Sequence, residues 1–241
     1  MKKAKDYLIF PLDVPTYDEA IRYVELLKEY VGIFKVGLEL FVSVGPKILS
    51  AVKDRSDAGI FLDLKFHDIP ATVKSAFLAA SAYGVAFTTV HCDEGEDLLR
   101  SVVDNNPSGV KILAITVLTS LASKNLKELG YQDRYIADIT ELVMLKARMA
   151  KDAGCSGVVC SGLEVEKVKA ELGKDFIVVT PGIRPQWSMV GKDDQKRIIT
   201  PNQAIKGGAD YIVVGRPIRT AEKPIEAAKR VVGEIEMAIS R

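Results

Sequence analysis

The chain has 241 residues, 48% of them hydrophobic and 27% charged, with a formal net charge of +1. That is an ordinary globular composition, and its balanced charge gives no electrostatic reason to expect a nucleic acid or a membrane as partner. The three cysteines, Cys92, Cys155 and Cys160, form no CxxC pair, so a reducing cytoplasm is expected rather than a disulfide scaffold.

The apolar run from Tyr7 to Pro11 is too short for a signal-peptide core. No stretch approaches the roughly 20 apolar residues of a membrane span. A first strand is predicted over Tyr7 to Leu12, ending at Asp13. Thr16 and Glu19 have capping-box spacing, and Ala20, Val24, Leu27 and Val31 make the apolar face of the helix they open. Strand two is predicted over Ile33 to Val36, with Lys35 inside it, and a helix from Pro46 to Lys53. Strand three covers Ile60 to Leu64. The helix after it runs from Pro70, a good first helical residue, to Tyr83. Strand four covers Val85 to Val90, followed by a helix from Asp97 to Asp104. Strand five covers Lys111 to Val117, and a longer connection with a short helix of its own follows. The next helix carries Ile136, Ile139, Val143, Ala147 and Ala150, with Gly154 as its C-terminal cap. Strand six covers Gly157 to Cys160 and its helix Glu164 to Leu172. Strand seven covers Phe176 to Thr180. A polar loop, Pro181 to Lys196, precedes a helix from Pro201 to Lys206. Strand eight covers Tyr211 to Val214, and the last helix shows Ile225, Ala228, Val232, Ile235 and Ile239 on one face.

Strands alternating with helices imply a parallel sheet. Eight such units in a chain near the roughly 250 residues of a typical barrel imply one closed (β/α)8 domain over 1–241. The alternative is an open doubly wound sheet, but no G-x-G-x-x-G follows strand one.

The chemistry concentrates in Asp63 to Thr72, DLKFHDIPAT. Side chains alternate along a strand, so Asp63 and Lys65 share one face while Leu62 and Leu64 point to the other. Asp68 adds a second carboxylate, giving a cation between two anions at a strand-to-helix junction. The plainer alternative is a structural ion pair with Asp68 serving the helix start. Asp13, Thr119, Arg184, Gly215 and Arg216 also fall at or just past strand ends, with Lys35 nearby. In a barrel those ends form the face that holds the active site. Pro181-Gly182-Ile183-Arg184 and Gly215-Arg216 follow strands seven and eight, where backbone amides and guanidinium groups suit a phosphate. His91, Cys92, Asp93 and Glu94 point in diverging directions, and His67 is the only other histidine, so no metal site is expected. Asp193-Asp194 is expected to be solvated. Trp187 either covers a ligand or packs its loop.

The segment DLKFHDIPAT resembles the signature of the orotidine 5′-monophosphate decarboxylase family. The resemblance runs through Leu12-Asp13, Phe34-Lys35-Val36-Gly37, Val90-His91, Leu118-Thr119-Ser120, Thr180-Pro181-Gly182-Ile183-Arg184, Asp194-Gln195-Lys196-Arg197 and Val214-Gly215-Arg216-Pro217. It departs at Cys92-Asp93-Glu94-Gly95, where a run of small residues is expected, and in a slightly long loop between Arg184 and Gln195. The resemblance implies conversion of orotidine 5′-monophosphate to uridine 5′-monophosphate and carbon dioxide, in pyrimidine biosynthesis, without a cofactor or metal.

By that resemblance, Lys65 stabilises the carbanion at carbon 6 and protonates it. Asp63 and Asp68 hold Lys65 charged and in place, and Lys35 joins the network. Asp13 and Lys35 contact the ribose, and Thr119 and Gln195 lie toward the base and phosphate. Arg184, Gly215 and Arg216 bind the phosphate. Ile69 also belongs to the substrate-binding set, and Asp68 and Thr72 reach into the neighbouring subunit of a homodimer with shared sites. The nearest rival is a magnesium-dependent sugar-phosphate decarboxylase or aldolase of the same superfamily, which resembles the chain less at Lys35. A Schiff-base aldolase using Lys65 and a non-catalytic phosphate-binding barrel are the remaining readings.

Overall fold

The structure is a computed structural model in which residues 2–188 and 197–240 are described. Eight parallel strands pair in sequence order and close on themselves. They are β1 (Leu8–Pro11), β2 (Ile33–Gly37), β3 (Gly59–Phe66), β4 (Phe87–His91), β5 (Lys111–Ile115), β6 (Gly157–Val159), β7 (Ile177–Thr180) and β8 (Tyr211–Val213). β8 returns to β1 through Leu8↔Ile212 and Ile9↔Val213, which settles the closed barrel over the open sheet.

The alternation of the strands builds two separate cores. One set of side chains points outward to the helices, among them Phe10, Phe34, Leu62, Val90 and Ile112. The other set fills the barrel interior with Ile9, Ile33, Phe61, Phe87, Leu113 and Val179. Phe87 is central to this plug, edge-on to Phe61 at 5.9 Å and to Tyr211 at 5.1 Å between ring centroids. The next inward position along a strand is two residues on. Lys35, Asp63 and Thr89 therefore stand one layer above Ile33, Phe61 and Phe87. The charged groups rest on a buried aromatic and aliphatic floor.

Several helices differ from the sequence expectation. A helix at Leu38–Val44 follows β2 directly, between Gly37 and Gly45, whose φ is +76°. It buries only Leu40, so its sequence carries no apolar stripe to reveal it. The long connection after β5 holds two short helices, Ser123–Glu128 and Asp133–Ala137, rather than one. A further short helix, Arg216–Arg219, follows β8 and has no counterpart in the sequence expectation. The helix after β1, Tyr17–Leu27, starts as its sequence indicates, with Thr16 accepting the Glu19 N–H. Among the described residues no helix is long and apolar enough to cross a membrane.

Candidate active site

The C-terminal ends of β1, β2 and β3 bring four charges into one row. Lys35 Nζ lies 3.1 Å from Asp13 Oδ1 and 3.5 Å from Asp63 Oδ2. Lys65 Nζ lies 2.8 Å from the same Asp63 Oδ2. The order Asp13, Lys35, Asp63, Lys65 alternates sign at every step. Asp63 is buried, and its second oxygen accepts a hydrogen bond from Thr89 Oγ1 at 3.0 Å. The same hydroxyl accepts the Lys65 backbone N–H at 2.9 Å.

These contacts set the protonation states. Burial pushes the Asp63 carboxyl up, but Lys35 and Lys65, with the bonds from Lys65 and Thr89, outweigh it and hold it below the usual carboxylate range. Burial likewise opposes the Lys35 ammonium, yet Asp63 and Asp13 carry its pKa above that of an ordinary lysine. A buried pair of this kind persists because each charge keeps its partner; removing one leaves an uncompensated charge, at a cost of about 3–5 kcal/mol.

Lys65 is the chain's non-glycine residue with positive φ, +50°, among those described. It sits where the β3–β4 register shifts between Leu62 and Phe66. Such a bulge can re-aim a side chain, but Lys65 keeps the inward face that alternation gives it, with its ammonium beside Asp63.

The expected placement of Asp68 beside Lys65 is corrected by the structure. Within this chain Asp68 is exposed, and its Oδ1 accepts the neighbouring Ile69 N–H at 2.7 Å. Lys65 is sandwiched by no second carboxylate of its own chain among the described residues. The cation lying between two anions is Lys35. Ile69 and Thr72 are exposed beside Asp68, outside the row of charges.

Two adjoining cavities meet at this row. One, of about 220 Å³, is lined by Lys35, Asp63, Lys65, Thr119, Ser120 and apolar neighbours. The other, of about 390 Å³, is lined by Asp13, Lys35, Gly182, Arg184, Gly215, Arg216 and Arg219, among others. Lys35, Pro181 and Val213 border both. The loops after β7 and β8 thus converge on the second cavity, as their glycines and arginines suggest. Gly182 has φ +76°, a conformation that favours glycine. Gln195 lies outside the described residues, as do Asp193 and Asp194.

Three residues at the site escape a reading of sequence alone. Thr89 looks like one more β-branched strand residue, though it lies two positions from Phe87 and so faces inward. At Gly37, a Cβ would stand 2.9 Å from Lys35 Nζ and 3.3 Å from Asp13 Oδ1; a glycine two residues after an inward lysine is the only cue. Arg219 donates to the Asp13 carbonyl at 2.7 Å, fixing β1's end from a helix the sequence does not reveal. Trp187 packs its loop: Nε1 donates to Glu234 Oε1 at 3.1 Å, and Arg230 stacks over the ring.

The family model "Orotidine 5'-phosphate decarboxylase / HUMPS family" matches residues 6–231. The chain belongs to that family. It is 50% identical over 236 residues to an orotidine 5'-phosphate decarboxylase of Desulfosudis oleivorans, covering 98% of this chain and 95% of the relative. It is 46% identical to one of Gloeothece citriformis, over 95% of this chain and 97% of the relative. A crystal structure of orotidine 5'-phosphate decarboxylase from Lactobacillus acidophilus superposes with a TM-score of 0.79 at 35% identity, covering 95% of this chain and 98% of that one.

Proposed function

We propose that the chain decarboxylates orotidine 5′-monophosphate to uridine 5′-monophosphate in pyrimidine biosynthesis, with Lys65 as the group that meets the reacting carbon. The observation that carries this is the alternating row Asp13, Lys35, Asp63 and Lys65 at the junction of the 220 Å³ cavity and an arginine-lined one.

Loss of carbon dioxide leaves an electron pair in the ring plane at carbon 6, where the pyrimidine π system cannot accept it. Stabilisation must therefore come from a charge fixed in advance beside that carbon. Lys65 meets the requirement: its backbone is held by Thr89 and its ammonium by Asp63. The apolar floor beneath keeps the local dielectric low, which strengthens the attraction to a developing carbanion. The same ammonium then delivers a proton to carbon 6.

The base fits the 220 Å³ cavity, toward Thr119. The ribose fits at its border, where Lys35 and Asp13 offer a donor and an acceptor to hydroxyl groups. The phosphate fits the cavity of Arg184, Gly215 and Arg216. Gln195 belongs to the same binding set by family resemblance.

The functional unit is a homodimer in which Asp68, with Ile69 and Thr72, completes the partner's site. Supporting this, Asp68 does not reach its own Lys65, and apolar residues are exposed in the segments that follow β2 and β3: Leu38 at 54%, Val42 at 80% and Ile69 at 66%. We place the reaction in the cytoplasm, consistent with three buried free thiols.

A sugar-phosphate reaction needing magnesium fits less well. Asp63 already engages two ammonium groups and a hydroxyl, and Lys35 would set a positive charge against a cation that prefers oxygen ligands. The test is turnover of orotidine 5′-monophosphate, followed by ultraviolet absorbance with a strong chelator present. Undiminished turnover is expected. Activity that disappears with chelator and returns with magnesium would favour the rival.

A further inference from the structure

The end of β4 carries a second set of charged and ring side chains that the reaction does not use directly. Beyond the bulge, Phe66 pairs with Val90, so the next residues, His67 and His91, come side by side. Their rings stack at 4.9 Å between centroids and 23° between planes. His91 Nδ1 lies 2.8 Å from Asp93 Oδ2. That bond from His91, against some cost of burial and helped by Lys146, holds Asp93 well below the usual carboxylate range. The carboxylate can only accept, so His91 Nδ1 carries the proton and donates.

The other Asp93 oxygen pairs with Lys146, which is buried in the helix Ile139–Asp152 and also donates to the Thr116 carbonyl at 3.0 Å. At the opposite end, His67 Nε2 meets Glu94. The chain of contacts Lys146, Asp93, His91, His67, Glu94 thus runs from a buried anchor to the residue immediately before Asp68. It passes through Asp93 and Glu94, where the sequence departs from the small-residue run expected of the family.

We propose that this relay is a positioning device for Asp68, and that His67, with Glu94, sets where that carboxylate stands in the partner's site. The inference rests on the shared-site reading above. The short segment between Lys65 and the helix Pro70–Ser81 has no apolar anchor of its own at Asp68, Ile69 and Pro70, all of which are exposed. The stacked histidines and the His67–Glu94 contact tie it to a rigid point. A misplaced catalytic group costs rate far more than it costs stability.

The test is subunit complementation with His67→Ala, and with Glu94→Gln as a second lesion that keeps side-chain volume. Each variant should melt close to wild type yet lose about tenfold to a hundredfold in kcat. Each is then mixed with Lys65→Ala under verified subunit exchange. Random pairing makes about half the dimers mixed, each with one undamaged site, so about a quarter of all sites should recover. Asp68→Ala mixed with Lys65→Ala is the control and should recover the same fraction. Recovery in the control but not with His67→Ala or Glu94→Gln would overturn the relay, because the lesion would then act within its own chain. Wild-type kcat in both variants would overturn it as well. Recovery in neither pairing would remove the shared-site reading and the relay with it. The turnover of the unmixed wild-type enzyme checks the reaction assignment separately.

Discussion

Replacing Thr89 by valine removes one hydroxyl and keeps the shape of the side chain. Thr89 is fully buried, and that hydroxyl both donates to Asp63 at 3.0 Å and accepts the Lys65 N–H at 2.9 Å. The lost bond to a charged acceptor is worth about 1.5–3 kcal/mol, and the orphaned N–H costs about 1–3 kcal/mol. The two share one atom and are not independent, so a total of about 3 kcal/mol in stability is expected. The effect on rate should follow from Lys65, whose positive φ is held by the same contact. A loss of about 2 kcal/mol in transition-state stabilisation would slow turnover on the order of 30-fold. Thr89→Ser keeps the hydroxyl and should stay within a few-fold of wild type in rate. Urea unfolding and ultraviolet-monitored turnover measure the two effects. A Thr89→Val enzyme that matches wild type in both, or a serine as damaging as valine, would refute this role of the hydroxyl.

Arg216→Ala should weaken binding of the phosphorylated substrate strongly and leave the already poor unphosphorylated nucleoside almost unaffected; equal damage to both would show that Arg216 does not read the phosphate. Gly37→Ala keeps a permitted backbone, with φ −96°, but crowds Lys35 Nζ. Separating Lys35 from half-exposed Asp13 should cost about 1 kcal/mol, seen as a roughly fivefold rise in KM, and an unchanged KM would contradict the close approach. The folded-state pKa of Asp63 is depressed, so its stabilisation is full above the unfolded value of about 4 and is lost as pH falls through the lower folded value. Lys35 is raised, so its contribution is full below about 10.4 and is lost as pH rises through the folded value. Denaturation midpoints should therefore fall more steeply with acid in wild type than in Asp63→Asn, and parallel curves would refute this.

The barrel was legible because its two periodicities are strong: apolar strand runs bounded by turn residues, and stripes such as Ala20, Val24 and Leu27 on the helices. The site was legible where alternation alone decides geometry, as for Asp63 and Lys65 on β3. It was not legible where position depends on a bulge or on a neighbouring strand. Asp68 reads as Lys65's second partner because three residues separate them, but the β3 irregularity and the exposed turn before Pro70 carry it away. Thr89 and Gly37 matter through contacts with other strands, which no local pattern encodes. The helix Leu38–Val44 escaped because one buried leucine makes no stripe.

In the proposed reaction Lys65 acts on charge that develops only as the carbon–carbon bond breaks. The most direct test is Lys65→Ala, with kcat measured by ultraviolet absorbance and affinity for uridine 5′-monophosphate measured by calorimetry on the same preparation. Turnover should nearly disappear while the nucleotide still binds through the arginine-lined cavity. Turnover at the wild-type rate would contradict this role of Lys65.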